Sequence, residues 1–184
     1  MLGYVFHQSG ENLDAAICAY QNAQSLIPYD MDTYISLGSV FYDKGDYQNA
    51  LSIYKLALGL DPKNARIHCN LAYLLWGLGE IDESVKEYKL ALKYDNDYDI
   101  AYNNLGVIYL DDLGKVKEAI ECFEKATQAN PNYALAYYNL ARSMVICGDK
   151  IEAAKLYQIA YDINKITVEM DPMDIQEKLN NLFE

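Results

Sequence analysis

The chain has 184 residues, of which 52% are hydrophobic and 23% are charged, and this balance excludes a disordered chain. Its formal net charge of −12 makes nucleic acid and anionic membranes unfavourable partners, so we expect neither. A basic or neutral protein partner is mildly favoured. Only 10 Gly and 4 Pro interrupt the chain, which favours long regular elements.

The first predicted element, residues 2–30, is a shortened copy of a repeat that recurs along the chain. Its first helix is truncated because the sequence begins in mid-helix, and we therefore expect the chain to be part of a longer protein. The residues that match the two halves of the repeat are Leu2, Gly3, Phe6, Ala16, Tyr20, Ala23 and Pro28.

Four full repeats follow, and a Leu followed by a small residue marks the first helix of each one. The Leu recurs with a period of about 34 residues. The repeats are predicted at residues 31–64, 65–98, 99–133 and 134–167, and the third carries one extra residue in the turn around 111–114. The marking pairs are Leu37-Gly38, Leu71-Ala72, Leu105-Gly106 and Leu140-Ala141.

The second half of each repeat is equally regular. A turn glycine precedes a small residue, an aromatic residue stands four positions after the small one, and an alanine follows. Apolar residues at i, i+3, i+4 and i+7 predict amphipathic helices, whose small residues let the paired helices approach closely. The four sets are Gly45, Ala50, Tyr54 and Ala57; Gly79, Ser84, Tyr88 and Ala91; Gly114, Ala119, Phe123 and Ala126; and Gly148, Ala153, Tyr157 and Ala160.

This pattern resembles the tetratricopeptide repeat family, in which aromatic-x-x-Leu-Gly-x-x-Tyr is followed by Ala-x-x-x-Phe, Ala and Pro. The resemblance covers nearly the whole chain. It implies an all-α fold, a right-handed α-solenoid (superhelix) of stacked antiparallel helix pairs, in a single domain over residues 1–184.

The repeat pattern stops after residue 167, and residues 168–184 predict a C-terminal capping helix. Asp171 and Pro172 form a helix-start signal, because Asp is a favoured N-cap and Pro fits the first helical position. One apolar stripe follows, and it would cover the last helix pair, although a partner-binding helix is the alternative. The stripe consists of Ile175, Leu179, Leu182 and Phe183.

The resemblance also implies that the first helix of each pair lines a concave groove. The residue before each repeated Leu would form a ladder along it: Ser36, Asn70, Asn104 and Asn139. An Asn amide donates and accepts hydrogen bonds, so such a ladder suits an extended peptide held by its backbone. The ladder is similar to that of the tetratricopeptide superhelix in O-linked N-acetylglucosamine transferases. The alternative is that these Asn residues cap or bridge neighbouring helices.

Helical geometry places aromatic, polar and cationic side chains beside this ladder, and we predict that they also contact a peptide. Tyr73 and Trp76 are the anchor candidates, because aromatic residues and Arg dominate binding energies. Ordinary packing between repeats is the alternative for Trp76. The full set is Tyr42, Arg66, Tyr73, Trp76, Asn103, Tyr138 and Arg142.

The sequence gives catalysis little support. His68 occupies the aromatic position of its repeat, so we expect a packed residue rather than a base, and no phosphate-binding loop or nucleophile motif appears. The four cysteines form no Cys-x-x-Cys pair, which argues against zinc and favours a reducing compartment. No signal peptide or membrane span is visible. We therefore predict a cytoplasmic protein with no catalytic residue, no metal and no cofactor.

The predicted function is a non-catalytic scaffold that binds a peptide or protein segment in its concave groove. Two alternatives stay open. The chain could recruit substrates for a larger enzyme, such as an O-linked N-acetylglucosamine transferase, or it could be a self-associating assembly element.

Overall fold

A computed structural model describes residues 12–182, and every regular element in this range is helical, which confirms the predicted all-α class. Residues Leu2, Gly3, Phe6 and Phe183 of the predicted pattern lie outside the described range. The helices are α1 Leu13–Leu26, α2 Met31–Asp43, α3 Tyr47–Leu60, α4 Ala65–Gly77, α5 Ile81–Tyr94, α6 Asp99–Val107, α7 Val116–Ala129, α8 Ala134–Cys147, α9 Lys150–Thr167 and α10 Pro172–Asn181.

The chain divides into two compact units, described separately below: an N-terminal unit that ends at Tyr94 and a C-terminal unit that begins at Asp95. Within the N-terminal unit α2 packs on α3 and α4 on α5, whereas in the C-terminal unit α6 packs on α7 and α8 on α9. The predicted repeat boundaries remain a prediction.

The turn glycines end the first helix of each pair, as their conformations require. All four have positive φ, a backbone region that glycine enters without steric cost. In the turn after α2, the Asp46 N–H donates to the Phe41 carbonyl at 2.8 Å and closes the helix end. The glycines and their φ values are Gly45 at 78°, Gly79 at 82°, Gly114 at 63° and Gly148 at 83°.

The extra residue of the third predicted repeat lies in a π-helical turn, Ile108–Asp112, at the end of α6. There the Lys115 N–H donates to the Tyr109 carbonyl at 2.7 Å, one residue further back than in the turn after α2. A wide turn of this kind accommodates one additional residue without breaking the helix. Asp111, which pairs with Arg142, belongs to this turn.

Close contact between paired helices depends on the small residue after each repeated Leu. In the C-terminal unit, a Cβ atom on Gly106 would lie 2.6 Å from Cε1 of Phe123, a ring that is completely buried. In the N-terminal unit, Gly38 faces the ring of Tyr54 at a similarly close approach. The glycine thus makes room for the aromatic side chain of the partner helix.

His68 is packed inside the N-terminal unit. Its Nδ1 lies 2.6 Å from Oε2 of Glu87, and its Nε2 lies 3.1 Å from the carbonyl oxygen of Pro62. The ring also contacts that of Tyr94 at 5.4 Å between centroids. His68 therefore ties α4 to α5 and to the turn before α4.

Asn164 organises the turn between α9 and α10, a role that the sequence did not indicate. Its buried Oδ1 accepts from the N–H groups of Glu169 at 2.8 Å and Met170 at 2.9 Å, and its Nδ2 donates to the Met170 carbonyl at 2.8 Å. The chain then enters α10, which packs on α9; Ile175 of this helix and Leu182, just after it, are buried.

We predict that Gly106→Ala destabilises the protein by about 1–3 kcal/mol, because the added methyl group overlaps the Phe123 ring in a closely packed core. Urea unfolding followed by circular dichroism measures this change. Gly59→Ala is the matched control, since a Cβ there meets no atom within 4 Å, and it should raise the free energy of unfolding by about 0.5–1 kcal/mol. Equal stability of the two variants would contradict the packing argument.

Candidate functional site

In the N-terminal unit, the predicted contact residues of α2 and α4 include a cluster of aromatic rings. The rings of Tyr42 and Tyr73 lie 5.3 Å apart between centroids, and Trp76 contacts Tyr73 at 6.0 Å. Tyr47, at the start of α3, adds a fourth ring 5.4 Å from Tyr42. We call these four residues the aromatic cluster. Tyr73 is 42% exposed despite these contacts, so part of its ring is open to solvent.

A pocket of about 260 Å³ lies beside the aromatic cluster. The half-buried Asn70 contributes its side-chain amide, which has no hydrogen-bond partner within residues 12–182. Ser39 donates from Oγ to the Ile35 carbonyl at 3.0 Å. The lining residues are Ser39, Tyr42, Asp43, Tyr54, Asn70 and Tyr73.

Two tyrosine hydroxyls at this pocket remain neutral far above physiological pH. Burial, together with the neighbouring Tyr73, raises the pKa of Tyr42 to about 12. Burial likewise raises the pKa of Tyr54 to about 12, and the charge of Asp43 adds to this effect. Among residues 12–182, the pocket lining therefore includes these neutral hydroxyl groups and the side chain of Asp43.

The remaining predicted residues of the N-terminal unit contribute less distinctive chemistry. Ser36 is half-buried on α2. Arg66 is exposed on α4 and forms an ion pair with Asp32, which compensates its charge. Because Asp32 is paired with it, Arg66 adds little net positive charge to this surface. An exposed ion pair of this kind also contributes little to stability.

In the C-terminal unit, the predicted residues form a chain of hydrogen bonds that we call the asparagine relay. Arg142 on α8 pairs with Asp111 of the π-helical turn, with Nη2 2.9 Å from Oδ1. Its Nη1 also donates to Oδ1 of Asn139 at 3.2 Å. Asn139 Nδ2 donates to Asn103 Oδ1 at 2.9 Å, and Asn103 Nδ2 donates to Asn104 Oδ1 at 3.2 Å.

The direction of the asparagine relay follows from the chemistry of Arg142. A guanidinium group only donates, so Asn139 must turn its Oδ1 toward Arg142 and is left with Nδ2 for Asn103. Asn103 accepts this hydrogen bond on Oδ1, so its Nδ2 is left to donate to Oδ1 of Asn104. The Asn104 Nδ2 has no partner within the described range and remains available as a donor.

Two of these asparagines lie in the interior. Asn103 is 1% exposed and Asn139 is 3% exposed, and the bond between them bridges α6 and α8. This is the bridging role considered as the alternative to the ladder. Asn104 is half-buried, and Tyr138 is half-buried with its ring 5.4 Å from that of Tyr157. We therefore leave Asn103 and Asn139 out of the surface proposed below.

Sequence reasoning missed three residues that shape these surfaces: Asp43, Tyr47 and Asp111. Asp43 and Tyr47 flank the glycine turn, where the repeat pattern requires no particular side chain. Asp111 belongs to the π-helical turn, and only the extra residue in the third repeat drew attention to that segment.

Comparison with known proteins agrees with this architecture. The model of a family described as TPR repeat, the tetratricopeptide repeat, matches residues 38–79, 77–112 and 110–144. The chain belongs to the tetratricopeptide repeat family. No match was found among curated proteins.

Several solved structures share the tetratricopeptide fold. MamA is 25% identical with a TM-score of 0.73, and the match covers 92% of this chain and 98% of MamA. PilF from Pseudomonas aeruginosa is 22% identical with a TM-score of 0.79, covering 99% of this chain and 89% of PilF. YrrB, described as a TPR protein with an unusual peptide-binding site, is 20% identical with a TM-score of 0.65. The match covers 95% of this chain and 88% of YrrB. These likenesses confirm the predicted α-solenoid class.

Within residues 12–182, no helix is both long enough and apolar enough to cross a membrane. All four cysteines lie in the same range, and none of them forms a disulfide.

We predict that Asn139→Ala lowers the free energy of unfolding by about 1–3 kcal/mol, because it leaves the buried Asn103 Oδ1 without its donor. Thermal and urea unfolding measure the loss. Asn132→Ala is the control, since this exposed side chain lies outside the asparagine relay and its loss should change stability by no more than about 0.5 kcal/mol. If both variants are equally stable, the relay does not support the C-terminal unit.

Proposed function

We propose that this tetratricopeptide repeat chain is a non-catalytic scaffold that binds an extended segment of another protein. The observation that carries this proposal is the partly exposed aromatic cluster beside the Asn70 amide, which has no hydrogen-bond partner among residues 12–182. Tyr and Trp supply much of the energy in protein interfaces, and solvent-exposed faces of Tyr73 offer that contact area. The description of YrrB as a peptide-binding protein of the same fold adds support.

Each unit, taken by itself, offers a different kind of contact to a bound segment. In the N-terminal unit, Tyr73 and Trp76 would pack against side chains of the segment, while the Asn70 amide bonds to one peptide group as both donor and acceptor. In the C-terminal unit, Asn104 Nδ2 would donate to a peptide carbonyl, because the asparagine relay engages its Oδ1. The Ser36 hydroxyl is the corresponding polar group on α2.

The chemistry of the chain also favours a choice of partner and of location. With a net charge of −12 and Arg66 and Arg142 both paired to carboxylates, a basic or neutral segment meets less repulsion than an acidic one. Four cysteines without a disulfide support the cytoplasm, where thiols stay reduced. The ladder similarity to O-linked N-acetylglucosamine transferases and the role of a substrate-recruiting segment stay predictions.

The proposal is tested by selecting peptides from a random dodecamer library on the immobilised chain and measuring their affinities by fluorescence anisotropy. Tyr73→Ala and Asn70→Ala should each weaken binding about tenfold or more, the cost of losing an interface anchor or a bidentate amide. Tyr29→Ala is the matched control, because this exposed tyrosine lies outside the aromatic cluster and its loss should leave affinity unchanged.

Two results would contradict the scaffold. One is a selection that yields no peptide above background, and the other is a set of peptides whose affinity is insensitive to both variants. Light scattering over a range of concentrations separates the self-associating alternative, which requires the mass to rise with concentration.

A further inference from the structure

We propose that a pocket in the C-terminal unit binds the side chain of a glutamate in the partner segment. The inference rests on the proposed function and adds to it a residue that the segment carries. The pocket has a volume of about 280 Å³ and is lined by residues of α8, α9 and α10 and by the residue just after α10. These lining residues are Val145, Lys150, Tyr157, Lys178, Asn181 and Leu182.

Two lysines of this pocket carry positive charge that nothing in the described chain compensates. Lys150 is the first residue of α9, and Lys178 lies in the last turn of α10. Within residues 12–182, neither ammonium group has an ion pair or a hydrogen bond, and no acidic residue lines the pocket. The nearby Asp149 is engaged as the N-cap of α9, where it accepts from the Glu152 N–H at 3.0 Å.

The other cations of the C-terminal unit are mostly engaged elsewhere. Arg142, Lys155 and Lys165 form ion pairs. Lys115 and Lys125 lie over tyrosine rings. In the described part of this unit, the positive charge without a partner is therefore concentrated at one pocket, apart from a single exposed lysine, Lys117.

Helix stability does not account for the position of Lys150. The N-terminal end of a helix carries partial positive charge, so a lysine at the first position is unfavourable. An anion bound at the pocket would reverse this effect, because the ammonium group and the helix end would both attract it.

A tyrosine hydroxyl and an asparagine amide add neutral donors. Tyr157 is 2% exposed, yet its hydroxyl has no hydrogen-bond partner among the described residues. Buried polar groups normally have a partner, so this hydroxyl at a pocket points to a ligand that accepts from it. Burial raises the pKa of Tyr157 to about 12, and Tyr138 adds to the effect while Arg142 opposes it, so the hydroxyl stays protonated and able to donate. The Asn181 amide also has no partner in residues 12–182.

The rest of the lining is apolar and suits the stem of the glutamate side chain. Val145 is 39% exposed on α8, and Leu182 is buried after α10. Glutamate joins two methylene groups, which can pack on such residues, to a carboxylate that accepts several hydrogen bonds. Hydrogen bonds from an ammonium group to a carboxylate are stronger than those between neutral groups. The pocket offers both kinds of contact that this side chain requires.

Other side chains fit the pocket less well. A lysine would be repelled by both ammonium groups, and an aliphatic side chain would cover the polar groups without replacing their contacts with water. A phosphorylated side chain carries about two negative charges, and the net charge of −12 on the chain repels it more than a single carboxylate. The same net charge disfavours a generally acidic segment. We therefore expect one glutamate in an otherwise neutral or basic segment.

The test uses synthetic nonapeptides with acetylated N-termini and amidated C-termini. The central residue is glutamate, glutamine, norleucine, phosphoserine or lysine, and the other eight positions are mixtures of uncharged amino acids. Peptides retained by the whole chain are quantified by mass spectrometry. We expect the glutamate set to be enriched about fivefold over the glutamine set, which has the same shape without the charge. General repulsion by an acidic chain predicts the opposite order.

Variants assign the preference to the pocket. Lys178→Met and Lys150→Met keep an aliphatic stem but remove the charge, and each should reduce the enrichment of glutamate over glutamine about threefold or more. Tyr157→Phe removes only the hydroxyl and should also reduce it. Lys117→Met is the matched control, because this exposed lysine of the same unit lies outside the pocket and its loss should leave the enrichment intact. Melting curves check that all four variants fold.

A further peptide set separates the side chain from the end of a chain as the source of the carboxylate. It has glutamine at the centre and a free C-terminus. Enrichment of this set equal to that of the amidated glutamate set would overturn the choice of a side chain. Stronger retention of the phosphoserine set would overturn the choice of a carboxylate.

The remaining outcomes separate the two proposals. If peptides bind but the glutamine or norleucine set is retained as well as the glutamate set, the pocket inference is overturned and the scaffold proposal stands. The same holds if Lys117→Met and Lys178→Met reduce the glutamate preference equally, because the effect would then come from the overall charge. If no peptide set is retained, both proposals fail.

Discussion

The close approach of a glycine on one helix to an aromatic ring on the next holds the pairs α2–α3 and α6–α7 together. At Gly106 and Phe123 there is no room for even one additional carbon atom. This contact fixes which side of the first helix faces its partner. Leu105 and Gly106 are consequently buried, whereas Asn104, one position earlier, remains half-exposed. The same offset leaves Asn70 accessible before the buried Leu71. Asn70 and Asn104 are therefore accessible because the residues that follow them are the ones buried against the partner helix.

Equivalent positions in different repeats nevertheless perform different tasks. Within the part of the chain that the structure describes, the Asn70 amide has no hydrogen-bond partner, whereas Asn139 is buried and its amide is bonded through both Oδ1 and Nδ2. The difference arises from Arg142, which donates to Asn139 and is itself held by Asp111 in the π-helical turn. The extra residue in the π-helical turn is thus accompanied by a different role for Asn139 on α8, which is engaged by Arg142. Position in a repeat specifies the helix face, but the neighbours of a side chain specify its chemistry.

The charges on the chain follow the same logic. The sequence offered Arg66 and Arg142 as cationic contacts for a partner, but Asp32 and Asp111 compensate both of them. Beside the aromatic cluster lie Asp43 and a set of hydroxyl and amide groups. The predicted contact residues therefore offer less free positive charge than the sequence suggested.

The sequence alone determined the helical class, the family and the turn glycines, because these depend on local rules. Apolar periodicity acts over one or two helical turns, and the positive φ of Gly45 or Gly148 is a property of that residue. The tertiary structure decided which predicted site residues face solvent. Asn103 and Asn139 are 36 positions apart, and Asp111 and Arg142 are 31 apart. No local pattern encodes whether such groups meet, since a hydrogen bond between them exists only after the helices have packed.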